Sequence, residues 1–342
     1  MTGGRVHAAG MAQEAERGLI DRFGRRIDYV RLSVTDRCDL RCLYCMKERM
    51  RFQPRDALLS RDEIIALGEI LVARGVRRIR VTGGEPLVRR DIGKIATSLG
   101  ALLGQGLDEL TLTTNGTQLA RHVAMLRDAG VRRVNVSLDS LQPDRFARIT
   151  RGGDLAAVLG GIEAARGAGL AIKVNMVALA QTNEDEIEPM MRWCAGQGFD
   201  LTLIETMPMG EVEEDRTARF LSLDAVRRRI EERFALIPLA LRTGGPARYF
   251  EVAELGLRLG FITPLTANFC GGCNRVRVAA TGSVYGCLGR DQKVELRPAL
   301  RAGDGAQVHR LLDQLLAGKP LGHDFHIGRG PAVERNMSVT GG

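Results

Sequence analysis

Six cysteines in two groups of three are the residues in this sequence best suited to hold a metal centre. The first group is Cys38, Cys42 and Cys45, in the segment C-D-L-R-C-L-Y-C. Random placement of seven cysteines gives a C-x3-C-x2-C spacing about 0.003 times per chain of this length, so chance is a poor explanation. Three thiolates on one short loop can hold three corners of a cubane iron–sulfur cluster and leave the fourth iron open. The alternatives are a redox thiol group or a zinc site, which would lack its fourth ligand.

A second group of three cysteines, Cys270, Cys273 and Cys287, lies in the C-terminal third of the chain. The two glycines between Cys270 and Cys273 allow the sharp backbone turn that brings both sulfurs to one metal. Three thiols without a histidine between them suit zinc and an iron–sulfur cluster about equally. The seventh cysteine, Cys194, falls in a predicted helix, where a buried structural thiol is the expected role.

Short strand-like runs alternate with helical patterns from about residue 27 to residue 233, which is typical of a parallel β/α architecture. We predict strands near 27–34, 77–82, 108–114, 132–138, 170–177 and 199–206. We predict helices near 60–73, 91–103, 118–128, 154–167, 184–196 and 222–233. Ser60 and Glu63 form a capping box that starts the first helix. Six such units indicate an α/β fold, an incomplete (β/α)6 TIM-like barrel rather than a closed eight-fold one.

The composition changes after Pro238, where glycine and proline become more frequent and apolar runs become shorter. We therefore place a boundary near residue 245. It divides the chain into an N-terminal extension at 1–20 that is a candidate for disorder, a barrel at 21–245, and a C-terminal region at 246–342 with the second cysteine group. The last fifteen or so residues are polar and rich in glycine, and by composition they could be a frayed terminus.

Polar and apolar residues alternate along several predicted strands, although buried parallel strands are usually apolar throughout. The polar positions include Arg31, Arg80 and Lys173 on the first, second and fifth strands. Successive side chains alternate between the two faces of a strand, so these cations project from one face of the sheet. A simply solvated face is the alternative, but it does not explain cations inside a barrel. The pattern predicts a polar lumen that binds an anion.

Two sequence features lie at the rim where β/α barrels place their reactive groups, the carboxyl ends of the strands. The first cysteine group directly follows the first strand, and Gly83 and Gly84 follow the second. Glycines at this position let a ligand approach the backbone closely. Because a simple turn would have the same sequence, the glycine pair is weak evidence by itself.

The chain has 342 residues, of which 44% are hydrophobic and 26% charged, as in globular proteins. Its net charge of +8 suits an anionic partner, but with 4% aromatic residues it has few side chains to stack on single-stranded nucleic acid, so we expect a small anion. No apolar run reaches the roughly 18 residues of a membrane span. The first twenty residues lack the apolar core of a secretory signal, and the grouped cysteines favour a reducing cytoplasm.

Several motifs resemble those of the radical S-adenosylmethionine (SAM) superfamily. They are R-L-S-V-T-D-R-C-D-L-R-C-L-Y-C-M from Arg31, V-T-G-G-E-P from Val81, T-T-N-G from Thr113, N-V-S-L-D from Asn135, K-V-N from Lys173 and C-G-G-C-N-R-V-R from Cys270. Together with the terminal Gly341-Gly342, the set is similar to the GTP 3′,8-cyclase family of molybdenum cofactor biosynthesis. The resemblance covers about residues 20–342.

The resemblance implies two [4Fe–4S] clusters, with the second cysteine group now assigned to a cluster rather than to zinc. Cys38, Cys42 and Cys45 would hold the first, whose open iron binds SAM, and Cys270, Cys273 and Cys287 the second, whose open iron meets the guanine ring. The SAM site would be lined by Tyr44, Gly84, Ser137 and Met207. GTP would be contacted by Arg31, Arg80, Thr113, Lys173, Arg275 and Arg277 and by the backbone at Val276, with Lys173, Arg275 and Arg277 as the catalytic set.

The implied activity is that of a lyase. A radical derived from SAM takes hydrogen from the ribose 3′ carbon of GTP, and the carbon radical attacks C8 of guanine. The sequence has no G-x4-G-K-S/T phosphate loop, which agrees with an enzyme that consumes the nucleoside. The C-terminal tail would enter the site with either Arg329 or Arg335. Expected partners are an electron donor, the next enzyme of the pathway and a second copy of the chain in a homodimer.

Two other functions are weighed against this one. A radical SAM enzyme that matures peptides can also carry extra clusters, but Lys173, the R-V-R segment and the Gly-Gly end argue against it. A non-catalytic metal scaffold that binds nucleic acid is disfavoured by the polar lumen and the few aromatic residues. His323 and His326 have helical spacing, and we interpret them as part of a solvated loop rather than a ligand pair.

Overall fold

The computed structural model describes residues 18–213, 215–241 and 243–341. Most of the extension predicted at 1–20 therefore lies outside the described residues, as does the last of the two terminal glycines. From residue 18 onward the chain is packed against the fold. Leu19 is buried, and its amide donates to the carbonyl of Arg74 over 3.2 Å.

One twelve-stranded sheet organises the described part of the chain. Its strands are β1 (Tyr29–Ser33), β2 (Arg78–Thr82), β3 (Glu109–Thr114), β4 (Arg133–Ser137), β5 (Ala171–Ala178), β6 (Asp200–Glu205), β7 (Leu236–Leu239), β8 (Arg248–Val252), β9 (Leu257–Ile262), β10 (Arg275–Val278), β11 (Ser283–Tyr285) and β12 (Lys293–Glu295). The spatial order is β12-β11-β10-β1-β2-β3-β4-β5-β6-β9-β8-β7. Neighbouring strands from β10 through β1–β6 to β9 run parallel, and the outer strands are antiparallel. The six predicted strands are confirmed to within two residues at each end.

Helices connect the parallel strands and cover the apolar face of the sheet. They are α1 (Arg61–Ala73), α2 (Ile92–Gly100), α3 (Leu119–Asp128), α4 (Pro143–Thr150), α5 (Leu155–Gly167), α6 (Ile187–Gln197), α7 (Arg216–Arg219), α8 (Leu223–Glu231), α9 (Arg297–Arg301), α10 (Gly305–Gly318) and α11 (Met337–Thr340). The capping box is confirmed, because Ser60 accepts from the amide of Glu63 and the Glu63 side chain accepts in return. The sequence analysis assigned one helix to each connection and so missed α4, which shares its connection with α5.

The sheet continues past the boundary predicted near residue 245. That residue lies in the connection between β7 and β8, which pair as antiparallel neighbours. Beyond it, β9 extends the barrel sheet at β6, and β10 extends it at β1. The C-terminal region therefore supplies a strand to each side of the six-stranded unit, and the division into two domains stays a prediction.

The two faces of the sheet differ in chemistry. Val30, Leu32, Ile79, Val81 and Val134 point into one large core that the helices close. Burial of such side chains contributes about 1.5–3 kcal/mol each, so this face stabilises the fold and leaves the other free for polar residues. Within the described ranges, no helix has the length and apolar character needed to span a bilayer.

Candidate active site

Five cations line one cavity on the polar face of the sheet. Arg31, Arg80 and Lys173 come from β1, β2 and β5, and β10 contributes Arg275 and Arg277. The register places Arg277, Arg31 and Arg80 in one row across three neighbouring strands. Like charges directly opposite each other on a sheet repel, so an anion in the cavity would stabilise this row. The polar lumen predicted from the alternation is confirmed.

Burial makes Arg31 and Lys173 harder to keep charged. It lowers the pKa of Arg31 to about 10, with Arg80 and Arg275 adding in the same direction. It lowers the pKa of Lys173 to about 7, again with Arg80 contributing. Lys173 Nζ donates to the hydroxyl of Tyr249. A bound anion would favour the charged forms, so the cavity is suited to take one.

Several buried polar atoms on this face have no hydrogen-bond partner within the described residues. They include Arg31 Nε, Arg275 Nε, Thr113 Oγ1 and Asn135 Oδ1. A buried donor or acceptor without a partner costs about 1–3 kcal/mol. A ligand with many oxygen and nitrogen atoms, such as a nucleotide, fits this lining.

The second cysteine group lies in the wall of the same cavity. Cys270, Cys273 and Cys287 all line it. The amide of Cys273 donates to the carbonyl of Cys270 over 3.0 Å, in the turn predicted from the two glycines. The backbone amides of His323 and Gly289 lower the pKa of the Cys270 and Cys287 thiols, respectively, against the effect of burial. Hydrogen bonds to cysteine sulfur are typical of iron–sulfur sites.

Cys273 differs from the other two thiols of its group in its charge environment. Burial raises the pKa of Cys270 and of Cys287. Burial acts in the same sense on Cys273, but the cations of Lys319 and Arg275 outweigh it, and the net effect lowers its pKa. Lys319 Nζ lies 3.5 Å from Cys273 Sγ.

The first cysteine group lies on the loop after β1, at the carboxyl ends of the strands, as predicted. The loop is held by α4, because the amides of Arg41 and Leu43 each donate over 3.0 Å to the last carbonyls of that helix. Burial raises the pKa of Cys38 to about 12, of Cys45 to about 11, and of Cys42 well above the usual range. These thiols would ionise only with a metal centre to stabilise the thiolates.

The two cysteine groups have the donor set that an iron–sulfur cluster needs. Each offers three free thiols on one segment of the rim or cavity wall. Among the described residues, no three His, Cys, Asp or Glu side chains are close enough together to hold a single metal ion. Support for clusters therefore comes from the donor chemistry, the amides aimed at sulfur and the family described below.

The glycine pair after β2 brings two backbone segments of the rim into close contact. A Cβ at Gly84 would lie 2.4 Å from the carbonyl oxygen of Arg37, and one at Gly83 would lie 2.6 Å from that of Thr35. Because the two glycines have no side chains, the segments can approach each other closely. The amide of Gly84 donates to the Thr35 carbonyl over 2.8 Å, and the amide of Glu85 donates to the Arg37 carbonyl over 2.7 Å. The pair is therefore required to position the loop that leads to Cys38.

The buried carboxylates of Glu85 and Asp139 tie the rim together. The Glu85 carboxylate accepts from the backbone amide of Asn115 over 2.6 Å. The side-chain nitrogen of Asn115, Nδ2, lies 3.7 Å from Cys38 Sγ. Tyr44 donates to Asp139 over 2.7 Å, and Asp139 also accepts from the amide of Val177. Burial raises the pKa of Glu85 to about 7 and that of Asp139 to about 6. Both groups hold the cysteine loop to the ends of neighbouring strands.

The C-terminal tail packs into the site and is not frayed. The Arg335 guanidinium donates to the carbonyl of Cys287 over 3.1 Å and lies over the ring of Tyr285. Three residues later the amide of Ser338 donates toward Cys45. Arg277 then donates to the carbonyl of Gly341 over 3.1 Å. The tail therefore links both cysteine groups to the cation row, and Arg335, rather than the exposed Arg329, makes the contact.

The remaining predicted residues lie in several places. Met207 lines the cavity. Tyr44, Gly84 and Ser137 lie around the first cysteine loop or at the carboxyl end of β4. The side chain of Val276 is buried and its backbone is paired with Val30 of β1. Cys194 is fully buried, as expected for a structural thiol. His326 is exposed, but His323 lines the cavity beside the second cysteine group, so its assignment to a solvated loop was wrong.

Sequence reasoning missed Asp139, Tyr249 and Lys319. Asp139 ends the N-V-S-L-D motif, but its contact with Tyr44 crosses 95 residues of chain and so gives no local signal. Tyr249 lies on β8, in the region where no strands were predicted. Lys319 follows an apolar helix end, and an isolated lysine there gives only a weak signal in the sequence.

Two family models together match most of this chain. The Radical SAM superfamily model covers residues 32–194, and the Molybdenum Cofactor Synthesis C model covers 199–325. Among solved structures, SuiB of Streptococcus suis bound to the precursor peptide SuiA is similar, with a TM-score of 0.59 at 15% identity over 85% of this chain and 65% of SuiB. The fold, with a cysteine loop at its rim, defines a radical SAM protein.

Curated relatives narrow the family further. A GTP 3′,8-cyclase of Erythrobacter litoralis (strain HTCC2594) is 58% identical over 327 residues, which are 95% of this chain and 98% of the relative. A GTP 3′,8-cyclase of Rhizobium etli is 56% identical over 328 residues, 95% of this chain and 94% of the relative. This chain belongs to the GTP 3′,8-cyclase family.

Proposed function

We propose that this chain converts GTP into 3′,8-cyclo-7,8-dihydroguanosine 5′-triphosphate, with SAM as the source of the radical; this is the first step of molybdenum cofactor biosynthesis. The observation that carries the proposal is the single cavity that combines five cations with three cysteines. An anion of high charge suits the cations, and the cysteines lie in the wall beside it. Membership of the cyclase family supports the same substrate.

Two clusters complete the proposal. Cys38, Cys42 and Cys45 would hold a [4Fe–4S] cluster that, when reduced, would supply one electron for the cleavage of SAM into methionine and a 5′-deoxyadenosyl radical. Cys270, Cys273 and Cys287 would hold another [4Fe–4S] cluster. The protein's own task is to orient GTP and to exclude water and other hydrogen donors from such a reactive species.

The cation row is the proposed site of the triphosphate. Arginine forks bind phosphate oxygens in pairs, which suits Arg31, Arg275 and Arg277. Arg80 and Lys173 continue the lining across β2 and β5. The unpaired hydroxyl of Thr113 would accept or donate a further hydrogen bond. The carbonyl of Gly341 already occupies one donor of Arg277 and so fixes the direction of its guanidinium.

The rim around the first cysteine loop is the proposed SAM site. Tyr44, Gly84, Ser137 and Met207 would contact it. Tyr44 is oriented by Asp139, and the Gly84 backbone is fixed by its contact with residues 35–37. Met207 lines the cation cavity, which supports a position for it between SAM and GTP.

This chemistry implies two further partners. An external electron donor would reduce the first cluster, and the next enzyme of the pathway would take the product. A homodimer in the cytoplasm, without nucleic acid or membrane as a partner, stays a prediction from the sequence.

Anaerobic incubation with GTP, SAM and a reductant tests the proposal. We expect 5′-deoxyadenosine to form only when GTP is present, together with a cyclised nucleotide that retains all three phosphates. Release of 5′-deoxyadenosine at the same rate with and without GTP would contradict the assignment of the substrate. Replacing GTP by ATP is the matched control, because ATP carries the same triphosphate and a different base.

A further inference from the structure

We propose that Lys319 is the buried counter-cation of the second cluster and raises its reduction potential. The proposal deepens the function above and requires that Cys270, Cys273 and Cys287 hold a cluster. Lys319 follows α10 and is 1% exposed. Nothing in the proposed binding of GTP or SAM uses it.

The ammonium of Lys319 is surrounded by acceptors from the segments that build the second cysteine group. It donates to the Arg275 carbonyl over 3.1 Å and to the Gly286 carbonyl, and it lies 3.5 Å from Cys273 Sγ. An ammonium has three donors and no acceptor, so these three contacts use it fully. Arg275 follows Cys273 by two residues and Gly286 precedes Cys287, so Lys319 joins the backbone next to two of the three cysteine ligands.

Among the described residues, no carboxylate balances the charge of Lys319. No Asp or Glu of this part of the chain lies within ion-pair distance of its Nζ. A buried charge without a counter-charge is strongly unfavourable. A cluster with three thiolate ligands is anionic, and it would place the missing negative charge next to Lys319.

Two arginines near the second cysteine group make contacts that differ from the contact of Lys319 with Cys273. Arg25 donates to the Cys270 carbonyl over 2.7 Å and pairs with Asp21. Arg335 donates to the Cys287 carbonyl and pairs with Asp291. Both arginines therefore bind backbone and have their own carboxylate. Lys319 contacts a ligand sulfur and has none, which points to the cluster as its counter-ion.

A cation that donates to a ligand sulfur stabilises the reduced, more negative state of a cluster. Net charge and hydrogen bonds to sulfur are the main protein controls on cluster potential. Removing the charge should therefore make the second cluster harder to reduce. Lys319 acts through Cys273 and is a positioning residue, not a catalytic one.

The potential of the second cluster tests the proposal. The full chain with Cys38→Ala, Cys42→Ala and Cys45→Ala is the parent, because it leaves only the second group of ligands. Lys319→Met and Lys319→Gln are then compared with this parent by redox titration followed by electron paramagnetic resonance. We expect both neutral variants to shift the midpoint to lower potential. Lys293→Met, which removes an exposed cation on β12, should leave it unchanged.

The outcomes separate this proposal from the function on which it depends. A parent that binds no cluster contradicts the second cluster itself. A clustered parent whose midpoint is the same in Lys319→Met overturns the role of Lys319 alone. A shift in Lys319→Met that is absent in Lys319→Gln would also overturn it, because hydrogen bonding rather than charge would then be responsible.

If Lys319→Met and Lys319→Gln bind no cluster, their reduction potential cannot be measured, and a second measurement tests the role of Lys319. The thermal stability of the iron-free chain is compared for the parent and Lys319→Met. In the iron-free chain Lys319 keeps its hydrogen bonds to the carbonyls of Arg275 and Gly286, so Lys319→Met loses these bonds but also relieves a buried charge, and the melting temperature should change by no more than about 4 °C. A larger fall in the melting temperature would show that Lys319 is a structural clamp and would overturn the proposal.

Discussion

Single residues in the cavity combine deep burial with positive charges that a bound anion would help to balance. Lys173 is the clearest case, because burial lowers its pKa to about 7 while its neighbours Arg80 and Arg133 are also cations. Above pH 7 the free chain therefore holds Lys173 mostly neutral. A triphosphate favours the ammonium form, so binding and protonation are coupled.

The first prediction concerns this coupling. At pH 8, GTP binding should take up a proton at Lys173, and below about pH 6 the uptake should disappear because Lys173 is already charged. Calorimetry in two buffers with different ionisation enthalpies measures the uptake. Lys173→Met should abolish it and weaken GTP binding on the order of ten-fold or more. Lys94→Met, on the exposed face of α2, is the control, and equal proton uptake in both variants would contradict the assignment.

The second prediction concerns Gly84. A Cβ there would lie 2.4 Å from the Arg37 carbonyl, and backbone cannot yield as a flexible side chain can. Gly84→Ala should therefore displace the loop before Cys38 and lower the iron bound by the first group. Gly160→Ala is the control, since nothing lies within 4 Å of its Cβ and alanine favours the helix. Full iron content in Gly84→Ala would show that the rim adapts.

Whole elements show which parts of the site were predictable from sequence. The period of two along a parallel strand fixes which side chains share a face, so Arg31, Arg80 and Lys173 were placed together correctly. The support given by α4 was not predictable, because its contacts with Arg41 and Leu43 join segments about 100 residues apart. The contacts of the tail depend on three separate segments, and composition alone favoured a frayed end.

The third prediction concerns the tail as an element. Arg335 is the anchor that joins it to the loop of Cys287, so Arg335→Gln should release residues 332–341. Faster amide hydrogen exchange in that segment is the expected result, together with weaker GTP binding as the Gly341 contact with Arg277 loosens. Arg329→Gln removes an exposed arginine of the same tail and should change neither. Unchanged exchange in Arg335→Gln would mean that packing of α11 alone holds the tail.

The whole molecule joins the two family regions through one continuous sheet. Strand β10 brings Arg275 and Arg277 beside Arg31, and the cysteines that flank β10 line the cavity that results. The fourth prediction follows: protein purified without oxygen should contain about eight irons per chain and little zinc. Replacing either cysteine group by alanine should remove about half of the iron. Loss of all iron in both variants would mean that the two sites do not assemble independently.

The most direct test of the account is the electron paramagnetic resonance spectrum of the reduced second cluster before and after addition of GTP. The chain with Cys38→Ala, Cys42→Ala and Cys45→Ala isolates that signal. The account predicts that GTP changes the signal and that Arg277→Ala, which leaves the cluster in place, removes the effect. A signal that is identical with and without GTP would contradict the claim that the nucleotide is held in the cationic cavity against the second cluster.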